Sequence, residues 1–293
     1  MTDDQTRRKL EYGTSQWLNF TRDSYLERTS RPLYGILFLL PFIVFYELGT
    51  ILINTDLLNR SQVRVVAFVW LQQWLGYLGY NGKLAWIAPP LVVVLILLAL
   101  QLTSRKPWYF QVKDVIPMAM ECALMAIPLI VLSLFINNPP VPQEDMNQIA
   151  ATAALRSARP LLQAGTGSVG PSLLASLVTG VGAGIYEELV FRLILICFLM
   201  MIFQDLLGIG HGKAIVMSVL ISAALFSAHH HVIFIDGRLA QSAEFNLSAF
   251  LFRTMAGVYF AVLFAARGFG ITAGTHACYD IIATVINSFF INA

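Results

Sequence analysis

Long apolar runs alternate with short polar stretches along most of the chain. A helix needs about 20 mostly apolar residues to cross the hydrocarbon core of a bilayer. Read on that rule, the pattern predicts about seven spans, near 33–54, 84–103, 115–137, 171–206, 213–235, 246–266 and 270–291. The fourth run exceeds one crossing, so one of its ends is expected to reach into the interface. Segment 63–80 is rich in Trp and Tyr. The pattern places it in the interface, where amphipathic rings settle, with an eighth span as the alternative. The expected fold is therefore all-α, a polytopic transmembrane bundle of about seven to eight helices.

The polar stretches divide the chain. Residues 1–32 form a polar leader with six basic residues: Arg7, Arg8, Lys9, Arg22, Arg28 and Arg31. No apolar run precedes residue 33, and the one that follows is long enough to span, so the leader does not read as a signal peptide. Residues 33–137 hold three N-terminal spans. The longest loop, 138–170, carries Pro139, Pro140, Pro142 and Pro160 and reads as a connector. Residues 171–293 hold the remaining four spans. Alternation with the N-terminus inside puts the leader, Arg105, Lys106, Lys113, Lys213 and Arg267 on the inner side. It leaves Arg60, Arg64, Lys83, Arg156, Arg159 and Arg238 outside. That bias favours a cytoplasmic N-terminus. The expectation is a multi-pass protein of the plasma (inner) membrane.

Composition agrees with the pattern. Hydrophobic residues make up 57% and charged residues 12%, and mean hydropathy is +0.68. Soluble domains carry about twice that share of charge, so a soluble, disordered or coiled-coil chain is excluded. The net charge of +2 gives no sign of nucleic-acid binding. Cys122, Cys197 and Cys278 are odd in number and lie in apolar stretches, so no disulfide framework or Cys-x-x-Cys zinc site is expected.

Against this background, polar residues inside the spans stand out, because a charge at mid-bilayer costs roughly 2.5–3.5 kcal/mol on the insertion scale. The N-terminal spans hold Glu47 and Glu121. The C-terminal spans hold three groups. In the first, Glu187-Glu188-Leu189-Val190-Phe191-Arg192, Glu188 and Arg192 are four apart and meet on one helical face as an ion pair. Glu187 is left without a local partner, which suits general-base work or a bond to a neighbouring helix. Gly180 and Gly184 continue the Glu188 stripe and would let another backbone approach. The second group is Phe226-Ser227-Ala228-His229-His230-His231. Consecutive helical positions turn about 100°, so only one or two of these histidines could serve a common site, and His229 and His231 read as a polar helix end. The third is His276-Ala277-Cys278-Tyr279-Asp280, where His276 and Asp280 share a face with Thr284 and Asn287. No HExxH, GxSxG or P-loop occurs.

These groups resemble the signature of the CPBP intramembrane proteases, also called the CAAX protease, bacteriocin-processing or Abi family. That family includes the Ras-converting type of prenyl-protein endopeptidase. Its pattern is E-E-x-x-x-R, F-x-x-x-H and H-x-x-x-N or D on successive helices. Here it reads Glu187-Glu188-xxx-Arg192, Phe226-xxx-His230 and His276-xxx-Asp280. The resemblance implies a water-filled cavity lined by the catalytic residues. Glu187 would be the base that activates a water and His230 its partner. His276 would stabilise the oxyanion, helped by Asp280, while Glu188, Arg192 and Phe226 support the site. Asp280 stands where Asn is more usual. Ionised Asp cannot donate to an oxyanion, so its expected role is to hold His276.

The implied activity is hydrolysis of a peptide bond in a membrane-associated protein by glutamate-activated water, with no cofactor. A prenylated tail, a bacteriocin leader and a sorting signal all fit as substrate. Two rivals stay open. One is a metalloprotease holding zinc on Glu187, His230, His276 and Asp280. The other is a non-catalytic transporter or immunity protein that uses the same groups as a proton relay. If the seven spans are laid out as straight helices, Glu187 falls mid-helix, His276 near an inner end and His230 near an outer end. That layout predicts three different depths.

Overall fold

In the computed structural model, which describes residues 20–21, 23–55, 65–77, 87–137, 173–235, 238–241 and 245–288, the apolar runs are helices. The leader before residue 20 and the proline-containing connector 138–170 lie outside the described residues. A one-turn helix, α1 (Tyr25–Thr29), leads into α2 (Pro32–Thr55). Then come α3 (Val66–Tyr77), α4 (Ala88–Ser104) and α5 (Val115–Asn137). The C-terminal half contains α6 (Leu173–Leu206), α7 (His211–Ala228) and α8 (Leu247–Ile286). A two-stranded antiparallel hairpin, β1 (Val232–Ile235) and β2 (Arg238–Gln241), joins α7 to α8. Among the described residues, α2, α5, α6, α7 and α8 are long and apolar enough to cross a membrane, and α4 is a shorter apolar helix. The protein is an integral membrane protein with the helical-bundle fold that the hydropathy pattern predicts.

Three local features depart from straight spans. α3 has 12 residues, about 18 Å at 1.5 Å per residue, which is too short to cross. Its Ala67, Phe68 and Leu71 are buried, and Phe68 packs edge-on against Tyr186 of α6. Among the described residues, 63–80 supplies no helix long enough to cross. The fifth run, read as helical to 235, ends its helix at Ala228. His229–His231 form a turn, and the Val-Ile-Phe-Ile run pairs as β1. A short β-branched run carries no period that separates strand from helix. Finally, α8 is broken at Gly268 (φ 75°, ψ 178°). A side chain there would be strained at that φ, and its Cβ would sit 2.9 Å from the Ser30 carbonyl oxygen. The break makes α8 two segments, which corresponds to the two spans predicted at 246–266 and 270–291.

α8 packs against α5, α6 and α7, and α2 packs against α6 and α8. α6 and α8 come close along the glycine stripe. A Cβ on Gly184 would lie 2.6 Å from the Ala277 nitrogen and 2.8 Å from the Ala273 oxygen. One on Gly180 would lie 2.8 Å from the Asp280 Cβ. The obstacle at Gly184 is backbone, so it cannot rotate away. Gly184→Ala is expected to lower stability by about 1–3 kcal/mol, the usual cost of overpacking. Gly212 lies in the first turn of α7 with nothing within 4 Å of its would-be Cβ. Gly212→Ala should leave stability unchanged or slightly raised, because alanine is the better helix former. Thermal midpoints of the purified variants in detergent check both.

The end of the leader is built into the bundle. Arg28 forms a paired bond to Asp114 at 2.9 and 3.0 Å, and the Tyr34 hydroxyl donates to the same carboxylate. Arg267, counted above as a loop charge, is buried at the α8 break. It donates to both Glu121 oxygens, to the Ser30 and Thr29 hydroxyls and to the Leu26 carbonyl. This network accounts for Glu121, one of the two acids in the N-terminal spans. The other, Glu47, accepts from the Tyr186 hydroxyl at 3.1 Å. Such partners are what a charge inside an apolar bundle requires.

Candidate active site

The three sequence groups meet at one point in the bundle. Glu187 and Glu188 close the α-helical part of α6. The seven residues that follow, Leu189–Leu195, are π-helical and include Arg192. Wider π turns inside helices are frequent at functional sites. Glu188 is fully buried, with its Oε2 3.1 Å from Arg192 Nε. The guanidinium also lies 4.1 Å from the centre of the Phe226 ring and 5.5 Å from that of Phe260. A buried charge is tolerated when paired and packed in this way.

Across from α6, the His276 ring on α8 stacks on Phe260 at 4.6 Å with an 18° interplanar angle. Its Nδ1 donates to Glu188 Oε1 at 2.7 Å. Its Nε2 faces Glu187 Oε2 at 3.9 Å and Asp280 Oδ2 at 3.6 Å, both beyond hydrogen-bond length. This changes the expectation for Asp280. The residue that holds His276 is Glu188, on a neighbouring helix, and Asp280 lies beside the free edge of the ring. Asp280 is also the more open of the acids, with 26% of its side chain exposed.

The turn after α7 supplies two histidines. His229 Nδ1 and His230 Nδ1 both donate to the Phe226 carbonyl, at 2.5 and 2.9 Å. In neutral His230 this leaves Nε2 as an acceptor, whereas His229 Nε2 donates to the Glu187 carboxylate, which can only accept. His229 Nε2 lies 3.3 Å from Glu187 Oε1. Glu187 Oε2 is buried without a hydrogen-bond partner. Phe226, the motif aromatic, touches Phe191, His229, His230 and His276 as well as Arg192, so it is the hydrophobic pin of the site.

All seven sequence-derived residues, Glu187, Glu188, Arg192, Phe226, His230, His276 and Asp280, line or adjoin this one region. His229 is the residue that the sequence reading set aside. The argument against it assumed a continuing helix, whereas a turn lets neighbouring positions face the same way. The ring edges of His229 and His230 meet at 4.0 Å between centroids. His231 is buried elsewhere, where its Nε2 accepts from Arg253 Nη1 at 3.4 Å.

A metal can be tested against these donors. Glu187, His229 and His230 each offer a ligand atom, and the three atoms lie within 4.8 Å of one another. One carboxylate and two imidazoles match the ligand count of a catalytic zinc site, and a backbone bond on the second ring nitrogen is what ligating histidines commonly make. The trio therefore fits a cation. Of the set suggested by the sequence, Glu187 and His230 belong to this group; His276 and Asp280 are not part of it, and His229 is.

His229 also borders an apolar cavity of about 630 Å³ lined by Trp70, Trp74, Ile194, Phe198 and Leu225, among others. A buried acid pair and imidazoles thus lie inside the helical bundle, next to an apolar opening. Residues 169–282 match the family model described as "Type II CAAX prenyl endopeptidase Rce1-like". The match covers less than half of the chain and includes every motif residue. This C-terminal part is thus similar to the CAAX endopeptidase family. A comparison with curated proteins and one with solved structures find no match.

Proposed function

We propose that the protein is a glutamate-dependent intramembrane endopeptidase that cleaves a peptide bond in a membrane-associated protein. The observation that carries this reading is buried Glu187, whose Oε1 is held by His229 Nε2 while its unpartnered Oε2 faces the Nε2 edge of His276. In the proposed reaction a water donates one hydrogen to Glu187 and the other to the Nε2 of His230. Glu187 takes the first proton as the water oxygen bonds to the scissile carbonyl carbon. The carbonyl oxygen becomes an oxyanion, which accepts from His276 Nε2–H. Since Nδ1 already donates to Glu188, His276 serves this step as the imidazolium. Glu187 then returns its proton to the leaving nitrogen as the C–N bond breaks, so water is divided between the two products. Glu188 and Arg192 fix the ring that faces the oxyanion. The cavity beside His229 suits apolar substrate residues or a lipid chain.

Asp280 is assigned to the edge of the oxyanion region, 3.6 Å from His276 Nε2. Asp280→Asn is expected to keep at least about a third of the activity, because an amide can donate where a carboxylate cannot. Asp280→Ala should lose about tenfold or more, as a water-accessible gap opens beside the ring. Initial cleavage rates in reconstituted vesicles distinguish the two. Equal and total loss in both variants would remove this assignment.

The Glu187, His229 and His230 cluster favours one second reading, a metallopeptidase. In it those three side chains would hold a zinc ion, which would supply Lewis-acid activation of water. The main reading expects purified protein to keep its activity after chelation and extensive washing. Loss that is restored by added zinc, with about one ion bound per chain, would favour the metal.

A further inference from the structure

A second cavity lies at the leader end of the bundle and shares no lining residue with the candidate active site or with the cavity beside His229. Its volume is about 440 Å³. The floor is apolar, formed by Leu97, Leu100, Leu193 and Phe264, and the rim carries Arg31, Lys106 and Glu27. Pro32, which opens α2, and Ser104, which closes α4, both line it. The change from apolar floor to charged rim therefore falls where these helices end, at the level of lipid headgroups.

Among the residues that line the cavity, two cations, Arg31 and Lys106, face one acid, Glu27. Arg31 is 4% exposed. Its Nη2 and Nε bond to Glu27 at 2.5 and 3.2 Å, and Lys106 Nζ lies 3.4 Å from the same carboxylate. One partly buried acid thus serves both of these cations, and Arg31 Nη1 has no hydrogen-bond partner. Burial works to raise the Glu27 carboxyl, but Arg31 and Lys106 outweigh it and hold its pKa below the usual carboxylate value, so the acid is ionised. Asp23 adds a weak contact to Arg31 at 3.5 Å from a half-exposed position. Arg105 lies next in sequence to Lys106 and adds further positive charge at this end.

We propose that this cavity binds one anionic phospholipid, with its phosphate on Arg31 and Lys106 and an acyl chain along Leu97, Leu100, Leu193 and Phe264. A phosphate alone would satisfy the cations and leave the floor bare. A zwitterionic lipid would cover the floor but bring its own cation to a basic rim. The anionic lipid matches both halves.

The test uses the full-length protein in detergent micelles, titrated separately with phosphatidylglycerol, phosphatidylcholine and inorganic phosphate and read by native mass spectrometry. The expected result is one retained phosphatidylglycerol per chain, with phosphatidylcholine several-fold weaker and no displacement by inorganic phosphate at matched concentration. Lys106→Gln should weaken phosphatidylglycerol about fivefold, the effect of one cation near a headgroup. Leu100→Trp should remove the retained lipid by filling the floor while the rim stays intact. Arg31→Gln should act like Lys106→Gln. If it fails to fold, the other two variants still decide. Equal retention of the two lipids would overturn the proposal, as would unchanged affinity in both Lys106→Gln and Leu100→Trp. Displacement by inorganic phosphate would reassign the rim to a soluble anion. None of these readouts depends on proteolysis.

Discussion

Glu187→Gln is expected to abolish proteolysis while leaving the bundle folded. The amide has the size of the carboxylate and can still bond to His229 Nε2, 3.3 Å away in the native site. It cannot accept a proton from water. Loss of a positioned general base lowers the rate by about 10²–10⁴, and there is no second acid in the same place. Glu188 is committed to Arg192 and His276, and Asp280 sits on the far edge of the His276 ring. The measurement is a proteomic comparison of membrane proteins from cells carrying the native chain and the variant, looking for a cleavage product that disappears. The thermal midpoint of the purified variant should stay within a degree or two of the native one. Retained cleavage would exclude Glu187 as the base, and a collapsed midpoint would transfer its role to folding.

Arg192→Leu is expected to be the most destabilising single change at the site. Arg192 is 1% exposed, lies against Phe226 and neutralises Glu188, which is fully buried. Removing it leaves two adjacent carboxylates in a dry interior with His276 as their remaining charged partner. Breaking a buried pair by deleting one member costs about 3–5 kcal/mol. Arg192→Lys should fall between, since it keeps the charge but loses the planar contact with the rings. Lys113→Gln, an exposed change, should stay within about 0.5 kcal/mol. Denaturant titration in mixed micelles measures all three. An Arg192→Leu variant as stable as Lys113→Gln would show that the ion pair contributes nothing.

Much of the site was legible because lipid makes polarity conspicuous. A carboxylate pair, an arginine and a histidine inside apolar runs have no bland explanation in a bilayer, and their spacing of four gave the Glu188–Arg192 pair directly. The glycine stripe was legible for a similar reason, and Gly180 and Gly184 do face Asp280 and Ala277. His229 was not legible. Its exclusion rested on helical geometry, and the turn that ends α7 cannot be read from a run that stays apolar through Val232–Ile235. The nearest partner of His276 was not legible either. Spacing can offer only Asp280, on the same helix, whereas the short bond goes to Glu188, 88 residues away.

The depths show the same division. Straight spans put Glu187, His230 and His276 at separate levels. In the structure the three meet: His276 Nε2 lies 3.9 Å from Glu187, and Glu187 and His230 offer ligand atoms within 4.8 Å of each other. Hydropathy alone determined that this chain lives in a membrane as a bundle of helices, because burial of apolar surface and self-satisfied backbone bonds leave little else. Which imidazole edge meets which carboxylate, and where a cationic rim caps an apolar floor, was decided by tertiary packing. Those contacts join residues far apart in sequence, and no local pattern encodes them.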